Sequence, residues 1–197
     1  MPRPANPEVR HRLIEAGRSL FLNRGFNASG VQELVEAAGI PKGSFYSYFG
    51  SKEEFALEVL EQYWTDIEER FGGILQDVRL TPTDRILRYF KSLSAEKAKD
   101  NYATGCLVGN LSLEIANLSP KVRSKLSDIF ERWEAPIVTC LREAQERHEI
   151  TPRSNLRDLA AAMIESWEGA AMRAKIEQKR RPYRHFEEVI LTNLLRA

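Results

Sequence analysis

SGVQELVEAAGIPKGSFYSYFGSK, residues 29–52, is the stretch that decides how this chain reads. Ser29 and Gln32 stand at the spacing of a capping box, which predicts a helix start. Val31, Leu34, Val35 and Ala38 then form one apolar stripe at helical spacing. Gly39 accepts the left-handed dihedrals of a tight turn, and Pro41 fits the first position of a second helix, expected over about Lys42 to Phe49. Phe45 and Phe49 share one face of it as core anchors, which leaves Lys42, Ser44, Tyr46, Ser47 and Tyr48 pointing elsewhere. Two helices joined by a turn, the second presenting basic, hydroxyl and aromatic groups, form the layout of a helix-turn-helix whose second helix enters a major groove.

Outward from this stretch the pattern is helical throughout. The spacing predicts an all-α chain of about nine helices. A first helix spans about Pro7 to Arg24 and faces inward with Val9, Leu13, Ala16, Leu20 and Phe21. Ser51 and Glu54 have capping-box spacing at the start of a helix that continues to about Phe71. Thr81-Pro82 opens the next, to about Lys99, and Asp100 to Gly105 reads as a loop before a short apolar helix, Cys106 to Ala116. Ser119-Pro120 opens a long helix to about Arg147 with Pro136 inside it as an expected kink. Helices of about Ser154 to Gln178 and Tyr183 to Leu195 close the chain.

Composition narrows the class. The 197 residues are 43% hydrophobic, enough for a real core, and no apolar run is long enough for a membrane span. The N-terminus lacks the apolar segment of a signal peptide, so a cytoplasmic location is expected. Cys106 and Cys140 do not make a disulfide framework and are expected as thiols. The net charge is only +1, but through Lys52 seven Lys and Arg face four Glu, and the next stretch is acidic from Glu53 to Glu69. A basic head followed by an acidic helix would orient the molecule on DNA. His11, His148 and His185 have no metal-ligand spacing, and no nucleophile elbow, P-loop or dinucleotide fingerprint occurs, so no metal, cofactor or enzymatic activity is expected.

The run GIPKGSFYSYFGSKEEF, residues 39–55, with LIEAGRSLFLNRGFNASGVQELVEAAG upstream, resembles the recognition region of the TetR family of bacterial transcriptional regulators over roughly residues 7 to 60. The resemblance implies a helix-turn-helix DNA-binding domain over residues 1–52 and a ligand-binding, dimerising helical domain over 53–197. It further implies a homodimer, a palindromic double-stranded operator, release by a small effector, and repression rather than activation. The last two long helices would then form a four-helix bundle with their symmetry mates. Small residues from Ala160 to Ala171 and the stripe Ile190, Leu191, Leu194, Leu195 suit that use, as they would suit a monomer core.

Residue chemistry assigns DNA roles within this frame. Lys42 at a helix start adds its charge to the helix-terminal amides for phosphate, and Gly43 permits close approach. Ser44, Tyr46, Ser47 and Tyr48 supply hydroxyls and aromatic surface, and Gln32 can reach a base edge or a phosphate. Lys52 matches the family's backbone-clamping lysine, and Arg3 is either a groove-reaching arm or a solvated tail. No arginine stands in the recognition helix to grip guanine, so shape readout gains weight.

Thr104 to Glu114 and Trp167 to Lys175 resemble a subgroup of the family that answers electrophiles, oxidants or small unsaturated acids. Cys106 at a helix start, with Arg173 or Lys175 nearby, would be a reactive thiolate; the other reading is a small buried hydrophobe. Alternatively Arg173 and Lys175 hold a small carboxylate, with Asn110 and Trp167 as hydrogen-bond donors and Trp133 and Tyr102 as an apolar wall. Glu114 and Glu168 could instead neutralise those cations. Cys140 reads as core, and Lys179 to His185 as a solvated turn.

Overall fold

The computed structural model describes residues 6–152 and 155–196, without the side chains of Lys42 and Arg196. Asn6 starts α1 (Pro7–Arg24): its side chain accepts from the Glu8 amide, and Pro7 sits in the first turn where no amide donor is needed. α2 is Val31–Ala37, followed by a 3-10 helix, Lys42–Ser47. α3 (Lys52–Ile67) runs on through π-helical Glu68–Gly72 and Gly73–Leu75. α4 (Pro82–Glu96) ends in a 3-10 turn, Lys97–Asp100. α5 (Leu107–Ile115), α6 (Pro120–Glu146) and α7 (Leu156–Glu177) follow. α8 (Arg181–His185) continues through π-helical Phe186–Leu191 and Thr192–Arg196. The all-helical expectation holds, with no strand among the described residues.

Two local details differ from the sequence reading. α2 is capped at Gly30 rather than Ser29: the Glu33 carboxylate accepts from the Gly30 amide at 2.9 Å. Ser29 is fully buried, and its hydroxyl donates to the Gly25 carbonyl at 2.7 Å, so it closes the turn after α1 instead. The second segment is 3-10 rather than α-helical. Ser44 and Tyr48 donate to carbonyls three residues back, Pro41 and Phe45, and Phe49 closes a longer loop to Phe45. Pro136 lies within α6 without ending it.

The chain forms two compact units. The first takes in the residues up to Thr65 together with Leu107–Ser127. Its core is aromatic: the Phe55 ring meets those of Phe21, Phe45 and Phe49 at 5.8, 5.3 and 4.7 Å between centroids. A Cβ on Gly17 would stand 2.3 Å from the Phe55 ring, so α1 and α3 approach as closely as backbone allows. Gly39, at φ +63°, turns the chain between α2 and the 3-10 helix, and the Ile40 amide donates to the Val35 carbonyl across that turn.

The second unit takes in Asp66–Cys106 and the residues from Asp128 onward. Arg85, 2% exposed, donates to the carbonyls of Asp77 and Leu80 and to Glu143 at 2.8 Å, which fixes the loop before α4. Cys140 is buried and its thiol donates to the Leu75 carbonyl; burial pushes that thiol up. No helix among the described residues is long and apolar enough to cross a membrane.

Phe55→Ala should cost about 3–5 kcal/mol, and Gly17→Ala about 1–3 kcal/mol through overpacking. Native-state hydrogen exchange should show both losses on α1, α2 and α3. Unchanged protection in Gly17→Ala would mean that the α1–α3 approach carries no constraint.

Candidate nucleic-acid interface and effector site

The face beyond the aromatic core is where the sequence placed DNA contacts. Burial of Phe45 and Phe49 turns Tyr46 outward, with 66% of its surface exposed. Gln32, Gly43 and Ser47 are also exposed, while Ser44 and Tyr48 are half-buried. A Cβ built on Gly43 meets nothing within 4 Å, so no intramolecular packing requires glycine there. The Gln32 amide is hydrogen-bonded to Glu36 on the next turn of α2. The backbone of Lys42 starts the 3-10 helix, and Arg3 lies outside the described residues.

Lys52 is turned inward. Its ammonium donates to the Phe26 carbonyl at 2.5 Å and lies 4.1 Å from the centre of the Phe26 ring. Partial burial lowers its pKa, while the carboxylates of Glu114 and Glu33 raise it. Glu114, from α5, accepts from the Asn27 amide at 3.0 Å. A side chain at Gly25, where φ is +88°, would collide with that carboxylate at 2.4 Å. α5 thus holds the loop between α1 and α2 from within the same unit. The Ser119 hydroxyl adds a hydrogen bond to Glu53, and Lys125 pairs with Glu61 at 3.1 Å.

In the second unit an aromatic row leads to Cys106. Trp133 meets Trp167 at 5.6 Å, Trp167 meets Tyr183 at 5.8 Å, and Tyr183 meets Tyr102 at 5.9 Å. The Trp167 indole donates to Ser94, which donates in turn to the Phe90 carbonyl. Asn101 and Tyr102 both adopt positive φ, 54° and 63°, an uncommon pair for residues with side chains, costing about 1–3 kcal/mol each. This backbone places Tyr102 against Tyr183, and the Tyr102 amide donates to the Lys97 carbonyl at 2.8 Å.

Cys106 immediately precedes α5 and is 5% exposed. Its thiol donates to the carboxylate of Glu168, whose Oε1 is sealed from solvent without a hydrogen-bond partner. Burial pushes the Glu168 carboxyl up to about 7, against the thiol hydrogen bond and the charge of Lys97, which both lower it. Lys97 is itself only 8% exposed. Burial also raises Tyr183 and Tyr89, with added repulsion from Cys106 in both and from Glu168 in Tyr183. Asp100 Oδ1 is a further sealed, unpartnered oxygen, while its other oxygen accepts from the Thr104 hydroxyl.

Of the effector residues read from sequence, Cys106, Trp133 and Trp167 are therefore buried in the second unit, with half-buried Tyr102 at the end of the aromatic row. Arg173 is exposed on α7 and pairs with Glu177 at 2.7 Å; Lys175 is half-buried on the same helix, and Asn110 is half-buried on α5. The charged groups that bear on Glu168 are Lys97 and, through Tyr183, Asp100. Lys97 escaped notice because AEKAKD, residues 95–100, carries the composition of a solvated helix end. Glu168 was visible only as a partner for cations.

Residues 13–59 match the family described as bacterial regulatory proteins, tetR family, and residues 82–190 match the tetracyclin repressor-like C-terminal domain. The chain is 39% identical to the HTH-type transcriptional repressor DhaR of Mycobacterium sp. (strain GP1), over 97% of this chain and 94% of that protein. It is 34% identical to the transcriptional regulator AcuR of Cereibacter sphaeroides, over 88% and 80%. The crystal structure of the reduced form of E. coli NemR superposes with a TM-score of 0.80 at 30% identity, covering 95% of this chain and 97% of that one. The chain belongs to the TetR family of DNA-binding transcriptional regulators, proteins that act as dimers on operator DNA and are not enzymes.

Proposed function

We propose that this protein is a repressor that leaves a palindromic operator when a small electrophile or oxidant modifies Cys106. The recognition surface is Gln32, Lys42, Gly43, Ser44, Tyr46, Ser47 and Tyr48, with Lys52 supplying charge beside it while anchoring the loop after α1. Tyr46, exposed apart from an edge-on contact with Phe45, and the unfilled space at Gly43 support that surface. Two such heads on a dimer would read successive major grooves. Gly169, Met172 and Ile176 line one exposed stripe of α7, with exposed Val189 on α8, and supply the apolar face for pairing.

The observation that carries the sensing half is the position of Cys106. The thiol sits among buried polar groups of the second unit, and the next residue begins α5, whose Glu114 holds the α1–α2 loop of the head. A displacement of Cys106 on modification would be passed along α5 to that loop and change the match to both half-sites. The named repressors DhaR and NemR support repression as the outcome. The alternative, reversible capture of a small carboxylate by Arg173 and Lys175, has less support because the Arg173 guanidinium is taken by Glu177.

Tyr46→Ala and Gly43→Ala should each weaken operator binding about tenfold or more in a mobility-shift titration, with melting temperature and dimer unchanged. Full affinity in both would remove the 3-10 helix from the interface. Ile176→Glu should give monomers by sedimentation, and an intact dimer would exclude that face. Cys106→Ser should bind operator normally and resist release by electrophiles, with a mass increment on Cys106 of the parent protein alone. Release of the parent without an increment would instead favour the reversible ligand.

A further inference from the structure

The sensing assignment leaves a chemical problem. Thiols add to electrophiles as thiolates, and the usual activators are a cation or a helix N-terminus. Here the thiol's own hydrogen-bond partner is a carboxylate, that of Glu168, which opposes a second negative charge on the sulfur. Cys106 does precede α5, but an anion in direct contact works against the helix-end field. A preformed thiolate is therefore the wrong species for this site.

The same contact offers another route. We propose, building on the sensing role of Cys106, that Glu168 is the base that takes the Cys106 thiol proton as the sulfur adds to an α,β-unsaturated carbonyl compound. The S–C bond forms at the β-carbon, and the alkene π pair moves to the α-carbon as an enolate. The thiol proton passes to the Glu168 carboxylate and from there to the α-carbon, which regenerates the carboxylate. No leaving group departs and no oxidant is needed.

Three features suit Glu168 to this work. It already accepts the proton that must move, so no rearrangement precedes transfer. Its second oxygen is sealed and unpartnered, so hydrogen bonds do not quench its basicity. Burial holds it near neutrality, where a base combines adequate strength with adequate population of the free form. The surrounding groups set its balance: Lys97 at the end of α4 favours the carboxylate. Tyr183 of α8 feels Glu168 and Cys106, and with them Asp100 of the 3-10 turn and Tyr102 of the loop after it. Tyr89 of α4 faces the Cys106 side of the pair.

The test is the rate at which N-ethylmaleimide alkylates Cys106 in the full-length protein from pH 5.5 to 8.5. Intact mass gives the increment, and peptide mapping separates Cys106 from buried Cys140. The carboxylate is the active form, so the parent rate should rise through about pH 7, the value at which Glu168 titrates. Glu168→Gln should react about tenfold or more slowly at pH 7.5 and lose that inflection, keeping only the steady rise of an unassisted thiol. Glu168→Asp, with the carboxylate withdrawn by one methylene, should be intermediate and keep an inflection. A parent-like rate and profile in Glu168→Gln would overturn the proposal while leaving the sensing role of Cys106 intact. No labelling of Cys106 in the parent at any pH would overturn both.

Discussion

The head of this molecule depends on the Phe55 ring lying in the gap left by Gly17. A methyl group at that glycine would overlap the ring, so the smallest residue on α1 and the largest apolar residue at the start of α3 are a matched pair. Phe55 in turn supports Phe21, Phe45 and Phe49 in edge-on contacts. Because Phe45 is anchored inward, its neighbour Tyr46 has no direction left but outward. The outward-facing hydroxyl and aromatic surface of the 3-10 helix is thus a by-product of core packing, and a weak six-residue helix needs such a support to hold its shape.

A different principle governs the interior of the second unit, where polar groups are buried on purpose. Arg85 shows the largely satisfied case: its Nε reaches two carbonyls and its Nη1 reaches Glu143, leaving only Nη2 unpartnered, and the result is a fixed loop. Glu168 shows the unsatisfied case, with one oxygen on the Cys106 thiol and the other sealed and unpartnered. Structures retain such groups at a cost in stability, and here the cost is pH-dependent. Because folding raises the Glu168 pKa, its contribution is most favourable in acid and is lost as pH rises through about 7. A strained loop at Asn101 and Tyr102 leads into the same place. Strain and a half-satisfied carboxylate thus meet in one small region.

Coupling within the first unit has equally specific hardware. Glu114 reaches the Asn27 amide and fills the space beside Gly25, while Lys52 closes the same loop from α3 by its bond to Phe26. The loop between α1 and α2 is therefore held from two elements by charged groups, each close enough to feel the other. Interactions of this kind are easily rebalanced by a small shift of α5, whereas the aromatic core below them is not.

Local signals in the sequence determined much of this. Capping at Ser51 and Thr81, the glycine turn at Gly39, the apolar stripes and the PKGSFY run gave an all-α chain with a helix-turn-helix head, because those features act over three or four residues. The same locality explains the error at Ser29, which looks like a cap until its burial beneath Gly25 is known, and it hides the pairing of Arg173 with Glu177. Tertiary structure alone decided that Leu107–Ser127 packs with the head, that Lys52 faces inward, and that Glu168 meets Cys106. Cys106 and Glu168 lie 62 residues apart, and no periodicity or spacing rule connects groups so distant in the chain. Their meeting, and the chemistry it permits, comes from helix packing that excludes water around both.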